Sequence, residues 1–160
     1  MAQSYAAAAY LERMNPGATG SLATTDPEFA ERFNTFAFDE VVNEEAAKLP
    51  DRERFLAILA ALMGCQGIDE FKAMLPAALN CGVTPVEAKE TIYQAVAYLG
   101  IGRVLPFLNA ANDILLARGV KLPLAGPANT TAENRPATGQ PRHADTCRAA
   151  SARLPAPGRE

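Results

Sequence analysis

Ala78-Leu79-Asn80-Cys81-Gly82-Val83-Thr84-Pro85-Val86-Glu87, read together with Tyr98-Leu99-Gly100-Ile101-Gly102, decides how this chain folds. The first run ends one helix and starts the next. Gly82 can take the left-handed conformation that closes a helix. Thr84 suits the N-cap and Pro85 the first helical position, and Glu87 completes a T-x-x-E capping box. A tight joint between two helices is the expected result.

The apolar spacing extends that reading in both directions. Residues 68–81 form the helix before the joint, interrupted by Pro76, whose missing N–H predicts a kink or a late start. Residues 85–99 form the helix after it, with Ala88, Ile92, Ala95, Val96 and Leu99 on one face. Residues 103–118 form a further helix, stopped by Gly119 and followed by Pro123. Toward the N-terminus, Pro50-Asp51 opens a helix carrying Phe55, Leu56, Ile58, Leu59, Leu62 and Met63 and ending at Gly64. Asp26-Pro27-Glu28 opens another, with Asp26 as N-cap; its Phe29, Phe33, Phe36 and Val41 follow helical spacing. Residues 4–14 make an Ala-rich helix ended by Asn15-Pro16-Gly17, and residues 18–25 read as a polar loop. No strand-like alternation occurs. The expected fold class is all-α, a bundle of about six helices.

The 160 residues are 49% apolar, enough for a core, and carry a net charge of −3. One domain is the natural expectation. The acidic balance argues against a nucleic-acid partner. No 18-residue apolar run exists, so no membrane span is expected. The N-terminus, Met1-Ala2-Gln3-Ser4-Tyr5, lacks the basic region of a signal peptide, which points to the cytoplasm. Three cysteines (Cys65, Cys81, Cys147) and one histidine (His143) form no C-x-x-C pair, an inventory from which a structural zinc site is hard to assemble. Neither metal nor cofactor is expected. Cys65 and Cys81 lie near opposite ends of helix 68–81, roughly 20 Å apart, beyond the reach of about 7 Å that a disulfide allows.

Composition changes near residue 122. All eleven aromatic residues lie at or before Phe107, while six of the twelve prolines lie from Pro123 onward. Five arginines against three acids give residues 123–160 a charge of +2, so residues 1–122 carry −5. A stretch so poor in large apolar groups cannot offset the entropy of ordering, and a disordered tail is expected there.

The stretch from Asp51 to Lys121 resembles the carboxymuconolactone decarboxylase family, which also contains the AhpD-like alkylhydroperoxidases. The matching features are the helix 55–63, the Leu79-to-Glu87 joint, Glu90, and Ala97-Tyr98-Leu99-Gly100. Residues 26–46 resemble the helical lead-in that precedes this domain. The resemblance divides the chain into a lead-in (1–50), a family-like helical domain (51–122) and a tail (123–160). It implies a homo-oligomer, a trimer or hexamer, with a small-molecule substrate or ligand.

In the AhpD-like members the resemblance implies a C-x-x-C pair followed by a histidine on the helix that ends at the joint. One thiolate attacks a peroxide and the other resolves it. Counting back from Gly82, those positions are Gly67, Glu70 and Met74. None carries the family residue. Decarboxylase members rely on polar and histidine side chains, and Met74 replaces the helix histidine there too.

The candidate catalytic residues are therefore Cys65 and Glu70. Cys65 follows Gly64 at a helix boundary, where the next helix's N-terminus could activate its thiol; the plainer reading is a small buried side chain. Glu70 stands where the second family cysteine would be; with Asp69 it also suits a helix's first turn without any catalysis. Cys81, at a helix C-terminus, faces the unfavourable end of the dipole. Glu87 is a capping residue. Glu90 and Tyr93 read as surface or interface groups, and Tyr98 as a packing residue. Arg54 and Arg103 could bind an acidic ligand or be solvated. Met63, Phe71 and Met74 would line one pocket wall in the family geometry, or simply build core.

Two function classes follow. The first is an enzyme of this superfamily, acting on a peroxide with antioxidant, peroxiredoxin-type chemistry or on a small carboxylated ring compound, with activity weakened or lost in this chain. The second is a non-catalytic helical module for oligomer assembly or ligand binding. Longer relatives carry two copies of the helical unit, which raises the expectation of a truncated or frame-altered two-repeat protein.

Overall fold

A computed structural model describes residues 4–17, 20, 22–42 and 49–124. The tail expected to be disordered, with His143 and Cys147, lies outside them. Among the described residues the chain is all-α, with no strand.

The first helix, α1 (Tyr5–Met14), starts where the Ser4 Oγ accepts from the Ala7 N–H at 3.0 Å. It buries Ala7, Tyr10 and Met14. A single turn, α2 (Leu22–Thr25), stands in the segment expected to be loop. It buries nothing; its ends are closed by Ala23 donating to Gly20 and Asp26 to Leu22. Next comes α3 (Pro27–Thr35), with Pro27 at its first position. Asp26 occupies the N-cap position, but its carboxylate makes no capping bond: at φ −139° and ψ 62° only its backbone carbonyl joins the helix, accepting from Ala30.

Beyond Thr35 the helix widens into a π turn, Phe36–Glu40, in which Val41 N–H reaches back five residues to the Phe36 carbonyl at 3.0 Å. The helical spacing of Phe29, Phe33, Phe36 and Val41 is real, yet all four are exposed. The residues this segment buries are Ala30, Phe38 and Val42.

The remaining helices are α4 (Asp51–Gly64), α5 (Ile68–Asn80), α6 (Pro85–Leu99) and α7 (Ile101–Ala117). They pack as α4 on α5 and α6, with α7 on α5 and α6. On α4, Phe55, Leu59 and Met63 recur every fourth residue and are wholly buried. They meet Phe71, Leu75, Ala77 and Ala78 of α5 and Val104, Phe107 and Ala111 of α7 in one core. Phe71 and Phe107 meet edge to face with centroids 5.1 Å apart, worth about 1 kcal/mol beyond their burial. Pro76 does not delay α5, which runs from Ile68 through it to Asn80.

The joint forms as its residues predict. Gly82 sits at φ +99°, Val83 N–H donates to the Ala78 carbonyl at 3.0 Å, and Gly82 N–H to Leu79 at 3.5 Å. These are the two bonds of a Schellman closure. The Glu87 N–H then donates to Thr84 Oγ1 at 3.2 Å, and the Thr84 N–H to Glu87 Oε2 at 2.9 Å. The same closure ends α4, where a non-glycine residue, Gln66, takes the left-handed position at φ +60°. Gln66 N–H donates to Met63 and Gly67 N–H to Leu62, and the Gln66 side-chain amide donates to the Met63 carbonyl at 2.6 Å.

Candidate functional site

The apolar lead-in and the first hairpin enclose a cleft of about 720 Å³. Arg54, Ile58 and Leu62 recur every fourth residue along α4 and form its floor. Glu70 and Met74, one turn apart on α5, form a second wall. Phe33, Phe36, Ala37, Phe38 and Val41 close the third side, with Leu49 at the edge. The π turn shapes that side. It sets Phe38 into the core, where it stacks on Tyr10 at 5.9 Å and meets Phe33 edge-on at 6.1 Å. Phe36 and Val41 remain open to the cleft.

Two ionisable groups line this cleft, and their states differ. The Arg54 side chain is only 13% exposed. Its Nη1 donates to Asp51 Oδ1 at 3.1 Å and to the Tyr10 hydroxyl at 3.2 Å, and its Nη2 to the Leu49 carbonyl at 2.9 Å. Asp51 also accepts from the Tyr10 hydroxyl at 2.9 Å and from Arg13 at 2.7 Å. Burial pushes the Tyr10 phenol above its ordinary pKa. Tyr10, Asp51 and Arg54 thus form a closed polar network behind the cleft. Glu70 is exposed at the cleft wall and has no ion-pair or hydrogen-bond partner among the described residues.

Neither described thiol lines the cleft. Cys65 is exposed and forms the C-cap of α4; its Sγ lies 3.5 Å from the Leu62 carbonyl, at the negative end of that helix. That places it on the preceding helix's closure instead of in the next helix's first turn, where Gly67 is the N-cap. It is also not the small buried side chain of the plainer reading. Cys81 is the half-buried C-cap of α5, and burial, followed by the nearby Asp51 carboxylate, pushes its thiol up. Gly67 leaves little space for a side chain, since an added Cβ would meet Leu62 Cδ2 at 3.3 Å and Cys65 Sγ at 3.4 Å.

Other expectations divide. Met74 lines the cleft, but Met63 and Phe71 are wholly buried in the core, each about a quarter-turn from the cleft-facing residues of its helix. Tyr98, expected to pack, is 90% exposed. It lies off the face of α6 that buries Ala88 and Ile92. Arg103 is exposed. Lys89 Nζ lies 5.8 Å above the half-exposed Tyr93 ring. Glu87 is a cap, and the Arg52 guanidinium beside it, with the Thr84 N–H, holds its carboxyl down at about 2.

The carboxymuconolactone decarboxylase family model matches residues 27–113, more than half of the 160-residue chain. The chain belongs to that family. No curated protein and no solved structure matches it. The family match takes in α3 and the π turn, so every side of the large cleft lies within it. The partners that α1 supplies to the network behind the cleft, Tyr10 and Arg13, lie before it. In this member of the carboxymuconolactone decarboxylase family no helix among the described residues is long and apolar enough to cross a membrane. The described residues also contain no cluster of side chains able to hold a metal ion.

Sequence reading missed the aromatic side of the cleft and the Tyr10–Asp51–Arg54 network. The available signal was four phenylalanines within ten residues (Phe29, Phe33, Phe36, Phe38), more than one buried helical face needs.

Proposed function

We propose that this chain is a small-molecule-binding member of the carboxymuconolactone decarboxylase family that does not run thiol peroxidase chemistry. One observation carries the reading. The cleft lies where the family's second cysteine and its histidine fall, and Glu70 and Met74 occupy those positions amid apolar walls. Such a cleft can desolvate and hold an apolar molecule, with Glu70 as the open polar group among its described lining residues. The enzyme reading, a peroxidase or a decarboxylase, has no thiol or histidine among the cleft's described lining residues to support it.

Nile red, an uncharged apolar dye, tests the binding. Saturable fluorescence that drops with Phe36→Ser supports the cleft. Fluorescence indifferent to that change counts against it. A cumene hydroperoxide assay tests the chemistry: consumption that falls in Cys65→Ser or Cys81→Ser would reinstate the peroxidase.

A second reading, self-assembly into a trimer or hexamer, is favoured by the outer stripe of α7. Ile101, Leu105 and Leu116 fall on one face of α7 and are all exposed, as is Tyr98 of α6. Large apolar side chains grouped on one exposed face are the kind a partner surface covers. Light scattering decides this: a monomer at micromolar concentration would sink the assembly reading.

A further inference from the structure

We propose that the occupant of the cleft is an apolar molecule bearing a positively charged amine, with its ammonium on the Glu70 carboxylate and its apolar part against Phe33, Phe36 and Phe38. This rests on the small-molecule reading above and names the class of ligand.

Hydrogen-bond capacity points this way. Arg54 is the only cation among the cleft's described lining residues, and it is already engaged. Asp51 meets its charge, while the Tyr10 hydroxyl and the Leu49 and Val42 carbonyls take up its Nη donors. An incoming carboxylate would have to break that network to be bound by Arg54. Glu70 is the opposite case: it is exposed and has no partner among the described residues, so its oxygens are free to accept from a donor.

The aromatic wall adds to the preference. Ring faces carry negative electrostatic potential and attract ammonium groups within about 6 Å. Three phenylalanine rings and an open carboxylate share one cleft. The surrounding charge has the same sign, because residues 1–122 carry −5. A carboxylated ring compound, the class implied by the family resemblance, meets repulsion from each of these.

Isothermal titration calorimetry on the full chain with octylammonium, 1-octanol and octanoate tests this. The three probes share an eight-carbon tail and differ in head-group charge. Octylammonium is expected to bind about fivefold or more tightly than octanoate, a ratio typical of one partly screened ion pair. Glu70→Gln is expected to remove most of the octylammonium preference while leaving octanol unchanged. Octanoate binding as tightly as octylammonium overturns the proposal, as does an ammonium preference that Glu70→Gln leaves undiminished. Phe36→Ser separates the two levels of the argument, since Phe36 is exposed and its loss leaves the core intact. If all three probes bind equally and Phe36→Ser weakens all three, only the charge assignment fails. If no probe binds, or binding ignores Phe36→Ser, the cleft reading fails with it.

Discussion

The Asn80 side-chain amide donates to the Met14 carbonyl at 2.6 Å, fastening the last turn of α1 to the joint between α5 and α6. The Asn80 Oδ1 accepts from Arg118 at the end of α7, 2.5 Å away. One residue of the joint therefore ties together three helix ends. The joint does more than turn the chain: it also holds the N-terminal helix that completes the Tyr10–Asp51–Arg54 network.

Asn80→Ala removes both bonds and leaves the Met14 carbonyl without this donor. A loss of about 1 kcal/mol is expected. Urea denaturation reads it as a lower midpoint at unchanged slope, and hydrogen exchange in α1 is expected to rise more than in α4. Equal protection in α1 before and after the change would contradict this role for Asn80.

Gln66 takes a left-handed conformation that disfavours most side chains, at φ +60°. A β-branched residue fits there poorly, and Gln66→Val is expected to cost about 2 kcal/mol through backbone strain and the lost bond to Met63. Gln66→Gly relieves the strain and loses the same bond, so it is expected to stay within about 0.5 kcal/mol of the parent. Thermal or urea unfolding of the two variants checks the contrast.

Glu87 supplies a pH dependence of known sign. Its carboxyl is held down from 4.5 to about 2 by Arg52 and the Thr84 N–H. A group depressed in the folded state binds its proton more readily when unfolded. Its stabilisation is therefore complete above about pH 4.5 and is lost as pH falls toward 2. Glu87→Gln is expected to cost about 1 kcal/mol at pH 7, the scale of a capping interaction. The gap between variant and parent is expected to narrow as urea midpoints are followed from pH 6 to pH 3. A gap independent of pH would exclude this carboxylate as its source.

The two described thiols should separate cleanly by reactivity. Cys65 is exposed, whereas Cys81 is half-buried with its thiol pushed up. In a Cys147→Ser background at pH 8, Cys65 is expected to react with a disulfide reagent at least tenfold faster than Cys81. Single Cys→Ser variants assign the two phases, and the reverse order would refute the assignment.

The parts of the fold that could be read from sequence were those decided within a few residues. Thr84, Pro85 and Glu87 make their cap among themselves, and Gly82 and Gly119 close α5 and α7 with bonds spanning only six residues. The closure of α4 was harder to read, because Gln66 does glycine's conformational work and the neighbouring Gly64 and Gly67 do not. In the cleft, Glu70 and Met74 were identifiable by counting along one helix. Which of their neighbours faced them was not: Met63 and Phe71 read as cleft wall or as core, and they are core.

Local chemistry in the sequence was enough to set the longer helices, the Thr84–Glu87 cap, the joint and the absence of the family's cysteine pair, because each depends on residues close along the chain. Tertiary structure alone decided which apolar faces were used. The π turn buries Phe38 and leaves Phe36 and Val41 at the cleft, and α1 arrives to complete the network that engages Arg54. Burial depends on contacts between residues distant in sequence. The amide of Asn80 shows both sides, since its place in the joint is local and its partners, Met14 and Arg118, come from the ends of α1 and α7, far away along the chain.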